Sequence, residues 1–233
     1  MKKKSILGYN SLAPCDKDAE NDQAYDVFFR LLNERNVFLT GEIEQELADE
    51  VIAQLLYLRS VDPQAPIQLY INSPGGHLNC MFAIYDIIQY LEAPVSTIVF
   101  GEASSAAAVL LACGTRGKRM AFPNATIMVH QPWAGDMEGQ ATDIAIQAQQ
   151  LQKEKVRITE ILARHTGQPF EKVLTDCERD VYLGAIEAKE YGLVDSIMPV
   201  HQVIPELVAM EEDTPEIQVT LKVPRKRRPR ARK

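Results

Sequence analysis

Residues 67–76 read Ile-Gln-Leu-Tyr-Ile-Asn-Ser-Pro-Gly-Gly. The first six alternate apolar and polar and include β-branched residues, which predicts a strand, and Ser73-Pro-Gly-Gly76 breaks it. Downstream, Ile84, Ile87, Ile88 and Leu91 recur at helical spacing and predict a helix. The unit then repeats. Val95 to Phe100 is an almost wholly apolar run of strand length, and after Gly101 the Ala-rich stretch Ser104 to Cys113 predicts a buried helix ending at Gly114. Strand–turn–helix occurring twice argues for an α/β domain with a largely parallel sheet.

Upstream, Ile43, Leu47, Val51, Leu55 and Leu58 predict an amphipathic helix from Glu42 to Leu58, opened by Thr40 with Glu42 and Glu44 in its first turn. Downstream, Arg119–Phe122 and Thr126–Val129 predict two short strands around Pro123-Asn124. Ala141 to about His165 predicts a long polar helix, roughly 37 Å at 1.5 Å per residue.

The chain has 233 residues, 46% hydrophobic and 24% charged, a globular balance that excludes collagen-like, coiled-coil and wholly disordered classes. No window of ~18 uncharged apolar residues offers a membrane span. The basic start lacks the apolar core of a secretion signal. Cys15, Cys80, Cys113 and Cys177 lie far apart, in neither a zinc spacing nor a dense disulfide framework. A reducing, cytoplasmic setting is expected.

The net charge of −7 hides an asymmetry: residues 222–233 carry eight basic side chains and no acidic one, leaving −15 on residues 1–221. Three regions are expected: an N-terminal extension over 1–24, a folded domain over 25–200, and an acidic, then basic tail over 201–233 that is poorly ordered. The tail interleaves no aromatic residues among its cations, which favours a solvated or self-associating arm over a nucleic-acid contact.

In open α/β sheets ligands bind beyond the carboxyl ends of strands, which directs attention to the residues after Asn72, Phe100 and Val129. Ser104 and Ser105 stand at the start of the apolar helix. A serine there commonly caps the helix, and it also suits a nucleophile beside exposed amides that could hold an oxyanion. The G-x-S-x-G elbow is absent. His130 appears where the next strand stops and best suits a general base. Of the others, His77 follows the Gly-Gly turn, His165 ends a helix whose dipole would favour its charge, and His201 is near the tail. Asp176, Glu178 and Asp180 are all candidates for an orienting carboxylate, and spacing does not choose among them. Residue chemistry alone supports a serine-hydrolase hypothesis.

Several separated stretches together resemble the proteolytic subunit of the Clp (caseinolytic) protease family. They are FLTGEI at 38–43, LYINSPGG at 69–76, GEASSAAAVLLACGTRGKRMAFPN at 101–124, IMVHQP at 127–132, GQATDI at 139–144, HTGQP at 165–169, ERD at 178–180 and EAKEYGLVDSI at 187–197. They run in family order from about Tyr25 to Val200. The resemblance implies a crotonase-like α/β fold of repeated ββα units with a protruding helical handle. It implies a serine endopeptidase that hydrolyses unfolded polypeptides, with Ser105 as nucleophile, His130 as base, Asp180 as orienting carboxylate, and the amides of Gly76 and Ala106 as oxyanion donors. It further implies identical or paralogous subunits in two stacked heptameric rings, served by a separate AAA+ unfoldase that uses ATP. No metal or cofactor is expected. The absence of a G-x-x-x-x-G-K-[ST] loop here agrees with nucleotide binding elsewhere.

The chain also departs from the family pattern and resembles a divergent paralogue. Ser104-Ser105-Ala106-Ala107 stands where A-S-M-G is usual, and His77-Leu78-Asn79-Cys80-Met81 replaces small residues after the Gly-Gly. The segment Trp133–Gly139 is about one residue longer than the usual handle strand. The apolar N-terminal opening is missing, and the basic tail has no family counterpart. Two other functions remain open on these grounds: a structural or regulatory subunit of a mixed ring, and a crotonase-type acyl-CoA enzyme, since fold does not determine function.

Overall fold

The computed structural model describes residues 22–133, 135 and 139–199; residues 1–21 of the extension expected over 1–24, and the tail expected over 201–233, lie outside the described residues, while residues 22–24 open a helix. Among the described residues it is a mixed α/β fold of seven helices and one seven-stranded sheet. Helix α1 (Asp22–Asn33) leads into β1 (Asn36–Thr40), α2 (Gln45–Val61), β2 (Ile67–Ser73), α3 (Leu78–Tyr90) and β3 (Val95–Ser104). Then follow α4 (Ala106–Ala112), β4 (Arg119–Ala121), β5 (Thr126–Val129), α5 (Ala141–Thr166), α6 (Phe170–Asp176), β6 (Val181–Gly184), α7 (Ala185–Tyr191) and β7 (Ser196–Ile197).

Strands run β1-β2-β3-β4-β7, all parallel, while β5 pairs parallel with β3 and antiparallel with β6. The branching is made by β3, which exceeds the expected Val95–Phe100. Its first half, Thr97–Val99, pairs with β4, and its last residues, Glu102–Ser104, pair with β5. Gly101 lies between them at φ +74. A glycine after an apolar run reads as a stop; here its left-handed backbone re-aims the strand instead, and the ladder to β2 shifts register at the same place.

Helix α2 also departs from expectation. It begins at Gln45 because Ile43 is held in a parallel bridge to Gly76: its N–H donates to the Gly75 carbonyl (2.7 Å) and its carbonyl accepts from His77 N–H (2.8 Å). Thr40 therefore closes β1 rather than opening a helix. Neither α1 nor β1 was among the expected elements. On the outer face of the sheet their aromatics continue into β2 and β3, with Phe28–Phe38, Phe38–Tyr70 and Tyr70–Phe100 ring centroids 5.9, 5.3 and 6.5 Å apart.

The core lies between the other sheet face and helices α2 to α5. Every residue of α4 is buried, and its alanines let it sit tightly against β2 and β3. Of α5, only the second half contributes buried residues, Ile158, Thr159, Ile161 and Leu162. Residues 141–150 are exposed throughout, Ile146 to 60%, so the first turns stand away from the body as a handle.

Candidate active site

The β3–α4 junction sets the geometry. Ser105 occupies φ +56, ψ −118, which non-glycine residues adopt only at a cost of about 1–3 kcal/mol. Its N–H donates to the Met128 carbonyl (2.8 Å), continuing the β3–β5 ladder by one residue. The side chain makes no capping bond to α4, so the capping role open to a serine at this position is not taken up. Its Oγ lies instead 2.8 Å from His130 Nε2. Ser104, one residue earlier, is buried and donates its hydroxyl to Glu102 Oε2 (3.1 Å), away from His130.

Glycine is required where the β2 turn meets this junction. A Cβ on Gly75, at φ +97, would lie 2.7 Å from the Ser104 carbonyl and 2.9 Å from Ser105 Cβ. A Cβ on Gly76 would overlap the Ile43 backbone. The Pro74-Gly-Gly backbone thus lies against the serine. Among the described residues neither the Gly76 nor the Ala106 N–H has an acceptor, the latter being a first-turn amide of α4.

The antiparallel pairing Val129↔Val181 places Asp180 across from His130, and Asp180 Oδ1 lies 3.1 Å from His130 Nδ1. The loop before Asp180 is pinned from two sides. Gln131 donates its N–H to the Cys177 carbonyl (2.5 Å) and its Nε2 to the Glu178 carbonyl (3.0 Å), while Lys155 of α5 pairs with Glu178 Oε2 (2.8 Å). That ammonium holds the Glu178 carboxyl below its ordinary range. Asp176 bonds Lys172 and the Tyr191 hydroxyl, which hold it low against the opposing effect of burial. The three carboxylates left open by spacing therefore have three different partners.

The remaining histidines stand apart from this cluster. His77 is exposed at the N-cap of α3. His165 was expected to carry a charge favoured by its helix end. Instead it accepts burial beside Tyr85 (3.0 Å), and burial followed by the charges of Arg119 and Arg164 pushes it down to about 4. His201 lies outside the described residues. The expected handle segment 133–139 is described only in part, at 133, 135 and 139.

Leu78, Ala106, Val109, Pro132, Ile158 and Leu162 line a narrow apolar recess beside Ser105 and His130. Lys155 is the residue that pattern reading missed: a lysine on a polar helix carries no signal that it reaches a loop 23 positions away. A carboxylate at Nδ1 favours the tautomer protonated there, which leaves Nε2 free to accept the Ser105 proton. Such a cluster can generate a nucleophilic hydroxyl at neutral pH.

A family model described as Clp protease matches residues 18–201. The chain belongs to the Clp protease family, whose membership supports a proteolytic role.

Proposed function

We propose that this Clp protease family member is a serine endopeptidase in which Ser105, His130 and Asp180 form the catalytic triad. The carrying observation is the placement of one imidazole between the Ser105 hydroxyl (2.8 Å) and the Asp180 carboxylate (3.1 Å).

In this reading Ser105 Oγ attacks the scissile carbonyl carbon as His130 Nε2 takes its proton. Asp180 holds the ring and its developing charge. The amides of Gly76 and Ala106 receive the oxyanion, each being worth about 10²–10³ in rate. His130 then returns the proton to the leaving amine, and water, deprotonated by the same nitrogen, releases the acyl group from Ser105. The strained backbone at Ser105 and the glycines at 75 and 76 keep these groups fixed before substrate arrives, so little reorganisation is needed during reaction. The apolar recess takes a side chain next to the scissile bond, and an extended substrate pairs with exposed backbone.

The chamber, the stacked heptameric rings, the unfoldase partner and the cytoplasmic setting belong to the same proposal. Ile144 and Ile146, exposed on the handle, are apolar surface suited to burial against another subunit. A fluorophosphonate probe tests the reading: Ser105-dependent labelling is expected in the wild type and none in Ser105→Ala. Labelling that persists in Ser105→Ala, or is absent from both the lone subunit and its reconstituted complex, sinks the peptidase assignment and favours the structural subunit.

A further inference from the structure

At the amino ends of β3 and β4, away from the triad, lies a cavity of about 330 Å³, far roomier than the recess beside Ser105. It is bounded by the ends of α3, α4 and α5. Three arginines, Arg116, Arg119 and Arg164, line it, and no carboxylate does. This is a local reversal of sign, because residues 1–221 carry a net −15.

The three cations are not equivalent. Arg119 is buried and saturated: it binds both oxygens of Asp195 (2.9 and 2.6 Å) and donates to the Ala112 and His165 carbonyls (3.2 and 2.9 Å). Those carbonyls belong to the C-terminal ends of α4 and α5, so Arg119 occupies helix-end oxygens that would otherwise face an anion. Glu92, beside the rim, is engaged by Arg59. Arg116 and Arg164 are exposed at the mouth, and among the described residues neither has a carboxylate partner. Burial is the larger cause of the lowered His165 pKa in the same wall, and the charges of Arg119 and Arg164 act in the same direction. Ile88, Leu91, Ala93 and Val95 supply an apolar part of the lining.

We propose that this cavity binds a small organic anion joining one carboxylate or phosphate group to a compact apolar group. The anionic end lies between Arg116 and Arg164, where guanidinium groups offer paired donors of the right geometry. The apolar end lies on the Ile88–Val95 wall. The volume suits a compact small molecule, at the low end of the range for such sites.

Titration calorimetry of the full chain with phenyl phosphate, 3-phenylpropionate and inorganic phosphate tests this. Saturable binding of either organic probe, with inorganic phosphate weaker, is expected; which organic probe is tighter separates a phosphate ester from a carboxylate as the source. The Arg116→Gln/Arg164→Gln variant alters only exposed side chains and is expected to weaken binding about tenfold or more, as loss of two charge-assisted contacts requires. Should that variant melt early, Arg116→Glu at the mouth replaces it, with the same expected loss. No saturable binding by any probe, or unchanged affinity in the variant, overturns the site. Inorganic phosphate binding as tightly as phenyl phosphate overturns the amphipathic ligand. None of these readouts depends on peptidase activity.

Discussion

The two ends of the sheet each hold an aspartate beside a basic side chain, and they are built in opposite ways. At the amino ends, Arg119 and Asp195 are 5% and 20% exposed, bonded through two oxygens and closed off by helix carbonyls. At the carboxyl ends, His130 and Asp180 are 16% and 55% exposed and share one bond, and the far ring nitrogen faces a hydroxyl in a strained backbone. Saturation locks the first pair into the fold. Incomplete saturation leaves the second with a lone pair that can move a proton.

The comparison predicts that deleting each base has a different consequence. His130→Ala should lose peptide hydrolysis by at least about 10³-fold while its thermal midpoint and assembly stay near those of the wild type, because the ring supports nothing else. Disassembly on size-exclusion chromatography would break the contrast. Arg119→Met should do the reverse. It removes the guanidinium from Asp195, which keeps only the backbone N–H donors of Gly117 and residue 119, and from the Ala112 and His165 carbonyls, and urea unfolding should show a loss of about 3–5 kcal/mol. A midpoint unchanged in urea would mean that the amino-end pair is not structural.

A smaller effect tests how firmly the reactive end is held. Lys155→Met frees the Glu178 side chain and removes the tie from α5 to the loop before Asp180, leaving the bonds from Gln131 and the β5–β6 pairing to hold it. The expected outcome is a fall of about tenfold in kcat with KM little changed, restored by Lys155→Arg. Loss in KM alone would point to substrate contact instead.

The smallest effect is a pH dependence at the amino end. His165 has an ordinary value of 6.5 and is pushed to about 4 in the folded protein, first by burial and then by Arg119 and Arg164. The unfolded chain therefore binds the extra proton first, and stability falls as pH drops from about 6.5 towards 4. His165→Gln should flatten that part of the profile in urea titrations at pH 7 and pH 4.5. A slope as steep as the wild type's would assign the acid sensitivity to groups other than His165; Asp195, whose carboxyl is held below its ordinary 3.8, keeps its contribution throughout this window and loses it only at lower pH.

Much of this architecture was legible because strongly periodic segments must bury one face. The strand at 67–72, the helix with Ile84 and Ile88, the long helix from Ala141 and the strand at 126–129 all lie where period and length place them. Element ends were less legible. The α2 start was displaced by the Ile43–Gly76 bridge, and β3 runs four residues past Phe100 because Gly101 bends it rather than ending it. Nothing in local periodicity reports a bond to a distant strand. The same limit applied at the site, where strand-end position singled out His130, yet spacing left Asp176, Glu178 and Asp180 equivalent.

By itself the sequence determined the central strands and helices from Glu42 to His165 and which residue types stand at the strand ends, since both follow from alternation, turn residues and burial along a local stretch. Residue spacing left Ser104 and Ser105, and the three acidic neighbours, undecided; the resemblance pointed to Ser105 and Asp180, the tertiary structure places both against His130, and it alone collects three arginines around one cavity in an acidic body. Those outcomes depend on strand register and on helix ends meeting in space, and such long-range pairings are set by packing of the whole core, which no short window of residues contains.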